Sequence, residues 1–281
     1  MRCVYINLDR DVVRRKNIEQ SFAVAQAKAP NWTIERFPAV DIKYVSEHAT
    51  PGSISPAEKG CFLSHKHIML RNAGQAGHLY ITEDDAVFSP DTLCILEGLL
   101  QKIEGVVEWD LLFTDIGIPA IGVMADVLAM TQEVFRKGTI ELANLAQFSR
   151  LYTTPAIYGS TAYVVNLKSI PKILGLMGND PLDLPYDLFL RSLIYKGMIN
   201  AYVTLPFIST VSDDGLSSSI QRSEHAKTDL VWNLFRKMVW LEGAAFDPTE
   251  LLNKMLNEID PRSRQFGALW AIMSDPSFKL K

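Results

Sequence analysis

The chain is poor in cysteine. Cys3, Cys61 and Cys94 are its only three in 281 residues, widely spaced and without a Cys-x-x-Cys pair. That leaves no even framework for a disulfide scaffold and no spacing typical of structural zinc; buried free thiols in a reducing compartment are the simple reading. No apolar run reaches the length of a membrane span, and the stretch Met1 to Ile6 is too short for a secretory apolar region. Positive charge is also scarce. Twenty-eight Lys and Arg stand against 32 Asp and Glu, a formal charge of −4 and the wrong sign for a nucleic-acid footprint. Repeats and low-complexity tracts are missing too. What remains is a 48% hydrophobic, 21% charged chain, ordinary for a soluble globular protein and long enough for one large α/β domain or two small ones. A cytoplasmic protein is expected, and any phosphate it binds must be met locally, by a few Arg or Lys residues and a metal.

The most informative stretch is Gly60 to Pro90, centred on Glu83-Asp84-Asp85. His78 to Thr82 just before it is apolar and β-branched and follows the turn residues Gly74 to Gly77, so it reads as a short buried strand. Three consecutive acids at the end of such a strand repel one another and lose solvation unless a cation sits among them. Mg²⁺ or Mn²⁺ accepts carboxylate oxygens and keeps positions open for substrate phosphates. In open α/β sheets the carboxyl ends of the strands are also where ligands bind. A metal bridging the protein to a diphosphate is one reading; a solvated acidic loop after an edge strand is the other.

Upstream, Gly60-Cys61-Phe62-Leu63-Ser64-His65 leads into a helix that ends near Gly74. Gly-Cys-x-Leu-Ser-His, a helix, and then Tyr80-Ile81-Thr82-Glu83-Asp84-Asp85-Ala86 resembles glycosyltransferase family 25, the bacterial lipopolysaccharide and lipooligosaccharide sugar transferases and the related collagen galactosyltransferases. The opening Val4-Tyr5-Ile6-Asn7-Leu8-Asp9-Arg10 resembles it as well, and the likeness covers roughly the first 220 residues. It implies a GT-A-like fold, a mainly parallel Rossmann-type sheet flanked by helices. The alternation of strands and helices in the chain agrees with such a sheet.

The remaining candidates follow in chain order. A first strand, Arg2 to Leu8, precedes a helix from Val12 to about Ala27 whose apolar positions are Val13, Ile18, Phe22 and Val24. The resemblance places Asn7, Asp9, Arg10 and Arg14 in the nucleotide-sugar pocket; a surface cluster pairing Asp9 and Asp11 with the arginines fits as well. Asp41, after a second strand from Trp32 to Phe37, corresponds to an acid that holds uridine or ribose hydroxyls, or it is a turn or helix-cap residue. Residues 43 to 56 read as a loop, and Ser55-Pro56-Ala57-Glu58 as a capped helix start. Ser64 and His65 are pocket candidates, with a core or capping role for His65 equally open; neighbours in sequence rarely make a nucleophile–base pair, which argues against a hydrolase.

Further on, Asp91 to Val107 forms a helix, Trp109 to Gly117 a strand, and 126–136 and 140–148 two helical segments. Asp115 suits either the cleft or a turn. Tyr158 to Asn166 is a strong strand in which Ser160 offers a hydroxyl. Asp187, two residues after Pro185, opens a helix: it is a cap, or it is the base that the resemblance implies, ranked above Asp183. Ala201 to Ile208 is the last core strand. Asp213, Asp214 and His225 are further candidates for a metal shell or a phosphate cover. From Lys227 an amphipathic helix follows, with Leu230, Leu234, Met238 and Leu241 on one face and Arg236 and Lys237 outside. It suits core or subunit contact, or contact with a membrane surface. Two more such segments span 251–259 and 263–273.

Taken together, the expectation is a catalytic domain over 1–221 with a C-terminal helical extension over 222–281. The resemblance implies metal-dependent transfer of a hexose, galactose from UDP-galactose, onto a saccharide acceptor with inversion. That acceptor belongs to surface-glycan synthesis and includes lipid-linked ones met at the inner face of the cytoplasmic membrane. Asp85, with Asp84 and Glu83, would hold Mn²⁺ or Mg²⁺, and Asp187 would take the acceptor proton. A metal-dependent phosphohydrolase or nucleotidyltransferase and a non-catalytic nucleotide-sugar binder are the rival readings.

Overall fold

A computed structural model describes residues 1–118, 121–138, 145–147, 158–212 and 226–242. In chain order the elements are β1 (Arg2–Asn7), α1 (Val12–Gln26), β2 (Thr33–Pro38), α2 (Ile42–Glu47), α3 (Pro56–Asn72), β3 (Leu79–Glu83), β4 (Ala86–Phe88), α4 (Thr92–Ile103) and β5 (Leu111–Gly117). There follow α5 (Ile121–Lys137), β6 (Leu145–Gln147), β7 (Tyr158–Val165), α6 (Ile170–Met177), α7 (Tyr186–Tyr195), β8 (Ala201–Thr204), β9 (Ser209–Val211) and α8 (Ala226–Met238).

The main sheet has seven strands in the order β2-β1-β3-β7-β5-β8-β6. Strand β1 is parallel to both β2 and β3, and β5 is parallel to β8, while β7 runs against β3 and β5 and β6 runs against β8. Five strands therefore share one direction, in the mainly parallel, GT-A-like arrangement. A separate pair, β4 with β9, lies just beyond the end of β3.

Strand alternation divides the core between the two faces of the sheet. Val4, Ile6, Leu79, Ile81, Phe113 and Tyr163 point to one face, where they meet Phe62, Ile68 and Met69 of α3, Leu190 of α7 and Phe235 of α8. Cys3, Tyr5, Tyr80, Leu112 and Val164 point to the other, against Ile18 and Phe22 of α1 and Leu96 and Leu100 of α4. A strand covered on both faces excludes water along its whole length, and Leu79 to Thr82 is buried throughout.

Several local expectations change. In α1 the buried positions are Ile18, Phe22 and Ala25, while Val13 and Val24 face solvent, because a single stripe about 100° wide is all that reaches the sheet. The loop expected over 43–56 contains α2, which Asp41 caps by accepting from the Tyr44 N–H at 2.8 Å. Within the expected second helix of the 118–150 region, Leu145–Gln147 is an edge strand paired with β8. The capped start of α3 is as expected: Ser55 and Glu58 form a reciprocal capping box with Pro56 at the first helical position.

Arg236 departs furthest from the pattern. Amphipathicity placed it outside α8, yet its guanidinium is buried against the fully buried Asp115 of β5, with Nε donating to Oδ1 at 2.8 Å and a second, shorter bond to Oδ2. It also donates to Thr161 Oγ1 at 2.9 Å. Burial works against the Arg236 charge, but Asp115, Asp85 and Glu83 together hold it more firmly protonated than an ordinary arginine. Hydropathy along a helix does not reveal a partner on a distant strand. The expected segments 251–259 and 263–273, and Asp213, Asp214 and His225, lie outside the described residues.

Removing one partner of a buried pair leaves the other charge unmet, so Asp115→Ala or Arg236→Met should each lower the unfolding free energy by about 3–5 kcal/mol in urea denaturation. Joint replacement by Asp115→Leu and Arg236→Met should recover most of that loss. Single replacements costing under about 1 kcal/mol would show that the pair does not anchor α8.

Candidate active site

Strands β1 and β3 are parallel neighbours, with Ile6 opposite Glu83, so their carboxyl ends open side by side. The cleft there is lined by Asn7, Arg10, Arg14, Asp41, Ser64, Glu83, Asp84 and Asp85 among others. Asp9 stays outside it: its carboxylate is largely exposed and pairs with Arg36, which also holds Asn7 Oδ1 at 2.9 Å. Arg10 is exposed on the rim, with Nε 4.0 Å from Asp11.

The three acids do not point to one place. Continuing the alternation of β3, Glu83 turns to the face covered by α3, where its Oε1 lies 3.8 Å from His65 Nε2 and accepts from Ser160 Oγ at 2.9 Å. Asp84 turns to the opposite side, accepting from Asn7 Nδ2 at 2.7 Å and from Arg14 at 3.2 Å. Asp85 closes the turn into β4, and its carbonyl accepts from the Ser212 N–H at 2.8 Å, next to the β4–β9 pair. Its Oδ1 is buried and has no hydrogen-bond partner among the described residues. Among the described residues, the set of three whose ligand atoms lie within 4.8 Å of one another is instead Cys61, His65 and Glu83.

Burial drives the electrostatics. The Asp85 carboxyl is pushed up to about 7, first by loss of solvation and then by the charge of Glu83, with Arg236 opposing. Burial raises Asp84 too, against Asn7 and Arg14. Burial would also raise Glu83, but His65, Ser160 and Arg236 outweigh it and hold that carboxylate below its ordinary range. A buried, orphaned carboxylate oxygen beside further acids fits a hard divalent cation, which supplies the missing partner and relieves the repulsion.

Ser64 is buried, donating to the Gly60 carbonyl at 2.8 Å and accepting from the Val40 N–H at 2.8 Å, so it fixes the segment that carries Asp41. The approach is close enough that a Cβ on Gly60 would lie 2.3 Å from the Val40 carbonyl oxygen. His65 is fully buried. It stacks on Tyr186 with centroids 4.1 Å apart, and its Nδ1 lies 2.8 Å from Tyr163 Oη, which lies 2.7 Å from Tyr186 Oη. Asp187, in the first turn of α7, accepts from the Gly159 N–H at 3.1 Å and the Leu188 N–H at 2.8 Å. Burial raises its carboxyl, while those two bonds pull it down. Consecutive residues of β7 thus hold the two acids: Gly159 binds Asp187, and Ser160 binds Glu83.

Sequence reasoning missed Cys61 as a lining residue, the tyrosines behind His65, and Arg236. Cys61 and His65 stand four apart on α3, a spacing that puts both on one face and was legible; the tyrosines and Arg236 carried no such signal.

The native state holds the Asp85 proton more tightly than the unfolded chain, whose aspartates titrate near 3.8. Protein kept free of metal by a chelator should therefore lose stability as pH rises from about 4 to about 7, with the loss complete above that. Asp85→Asn should raise its melting temperature at about pH 8 and leave it little changed at about pH 4; an equal effect at both would show that Asp85 does not carry this proton.

No curated protein matches the chain. A family model described as glycosyltransferase family 25 (LPS biosynthesis protein) matches residues 1–190, a span that holds the whole cleft, the acidic turn and Asp187 and stops short of Arg236. With the strand order, the cleft at the carboxyl ends of β1 and β3, and a match over more than half its length, the chain belongs to glycosyltransferase family 25, the family of lipopolysaccharide-biosynthesis proteins.

Proposed function

We propose that the chain transfers galactose from UDP-galactose to a hydroxyl of a saccharide acceptor, with inversion at the anomeric carbon and with the help of Mn²⁺ or Mg²⁺. The observation that carries this reading is the orphaned, buried Oδ1 of Asp85 in a cleft whose rim supplies Arg10 and Arg14. Asp85 would hold the cation, with Asp84 or Glu83 contributing directly or through water, and the cation would neutralise charge that grows on the departing diphosphate. Arg14 sits over Asp84 at the mouth of α1, where its guanidinium meets the phosphates as well as the carboxylate. Asp41 faces the cleft from the start of α2, in reach of ribose hydroxyls.

On the acceptor side Asp187 is the base. Burial raises its affinity for a proton, and two backbone N–H groups aim its carboxylate from the first turn of α7. Inversion needs donor and base on opposite sides of the anomeric carbon, and the adjacent Gly159 and Ser160 of β7 hold Asp187 and Glu83 at the same end of the sheet. No described helix is long and apolar enough to cross a membrane, so a lipid-linked acceptor would be met at the membrane surface. The metal-dependent hydrolase and the non-catalytic binder remain the rivals for the experiment to separate.

Purified protein supplied with UDP-, GDP- and CMP-sugars should release UDP from UDP-galactose, with Mn²⁺ or Mg²⁺ required and acceptor increasing the rate. Release of inorganic phosphate or pyrophosphate would favour the hydrolase or nucleotidyltransferase, and binding without turnover the non-catalytic protein. Asp85→Ala should remove nearly all turnover while the fold persists. Asp187→Asn should lower kcat by about 10²–10⁴-fold with little change in donor affinity. Full activity in either variant would remove that residue from the reaction.

A further inference from the structure

We propose that Cys61, His65 and Glu83 form a second metal site at the floor of the cleft, selective for a borderline divalent cation of the Zn²⁺ class. Three observations converge on it. The Sγ, imidazole nitrogen and carboxylate oxygen of these residues lie within 4.8 Å of one another, a spread that a modest closing motion brings to tetrahedral coordination. His65 is fully buried, and its Nε2, aimed at Glu83, has no hydrogen-bond partner among the described residues. Its other nitrogen lies 2.8 Å from Tyr163 Oη, itself 2.7 Å from Tyr186 Oη; in the tautomer whose Nδ1–H donates to Tyr163, the ring presents a lone pair at Nε2 to an incoming cation. A metal-binding histidine is commonly oriented in this way, its second N–H held by an oxygen behind it. The stacked Tyr186 ring keeps the imidazole from turning.

That lone pair faces a carboxylate oxygen at 3.8 Å with a thiol beside it. An imidazole lone pair and a carboxylate oxygen facing each other repel unless a cation lies between them. The donor set of one sulfur, one nitrogen and one oxygen is too soft for Mg²⁺ or Mn²⁺ and suits Zn²⁺. It therefore differs in kind from the all-oxygen surroundings of Asp85. Cys61 and Glu83 both line the cleft, so the fourth position faces it and accepts water or a substrate oxygen. On loading, the Cys61 S–H bond breaks, the sulfur lone pair forms the metal bond, and the proton leaves to solvent. Burial and the neighbouring Glu83 and Asp187 charges otherwise keep this thiol protonated.

The test uses full-length Cys94→Ser protein, which removes the exposed thiol of α4, stripped of metal and titrated with Co²⁺ as a spectroscopic substitute for Zn²⁺. Expected, with excess Mg²⁺ present to fill the oxygen site at Asp85, are a near-ultraviolet thiolate-to-cobalt band and tetrahedral visible bands that saturate at one Co²⁺ per chain and are displaced by Zn²⁺. Adding Cys61→Ser should abolish the thiolate band, with circular dichroism confirming the fold. X-ray absorption of the zinc-loaded Cys94→Ser protein needs no change at the site and should show one sulfur and two or more nitrogen or oxygen neighbours. Absence of the thiolate band, its survival without Cys61, or a zinc shell of oxygen and nitrogen alone would each overturn the proposal. No sugar nucleotide is present in these measurements, so their outcome is independent of the donor assignment.

Discussion

Carboxylates crowded at the carboxyl end of a buried strand are the constraint around which this structure is arranged. Strand β3 is dry along its length, and its last turn delivers three acids into a region where charge is poorly solvated. Each acid is met differently. Glu83 is held charged by His65, Ser160 and the more distant Arg236; Asp84 is clasped by Asn7 and Arg14; Asp85 keeps one oxygen without a partner among the described residues. The elements that supply these counter-groups, β1, α1, α3, β7 and α8, are drawn from across the whole chain.

The antiparallel strand β7 has a particular part in this. Lying between β3 and β5, it brings Gly159 and Ser160 to the same end of the sheet as the acidic turn. Its Thr161 shares Arg236 with Asp115, which ties α8 to the strand beside the site. The family match ends at residue 190, yet the buried cation that counters Asp85 and Glu83 comes from beyond it. A segment outside the shared family region therefore contributes to the electrostatics of the shared site.

Much was legible beforehand wherever the physical signal is local. The β-branched run before Glu83, the capping box at Ser55, the proline-led start of α7 and the strand at Tyr158 each declare themselves within a few residues, and each appears as expected. Errors came where the deciding partner is distant. Val13 and Val24 are apolar on a helix whose buried stripe runs elsewhere, and 145–147 pairs as a strand because β8 offers an edge. Arg236 was assigned to solvent because nothing near it in sequence announces Asp115.

From the sequence alone came the family resemblance, the α/β class and the acidic turn, because strand and helix periods and a short motif of contiguous residues are local properties of the chain. Tertiary structure alone decided that Glu83 and Asp84 diverge to opposite faces, that Asp9 stays outside the cleft and that Cys61 and His65 converge with Glu83. The reason is geometric. A carboxylate's function depends on which neighbours remain within hydrogen-bonding distance after the strands align, and those neighbours lie tens of residues away in the chain.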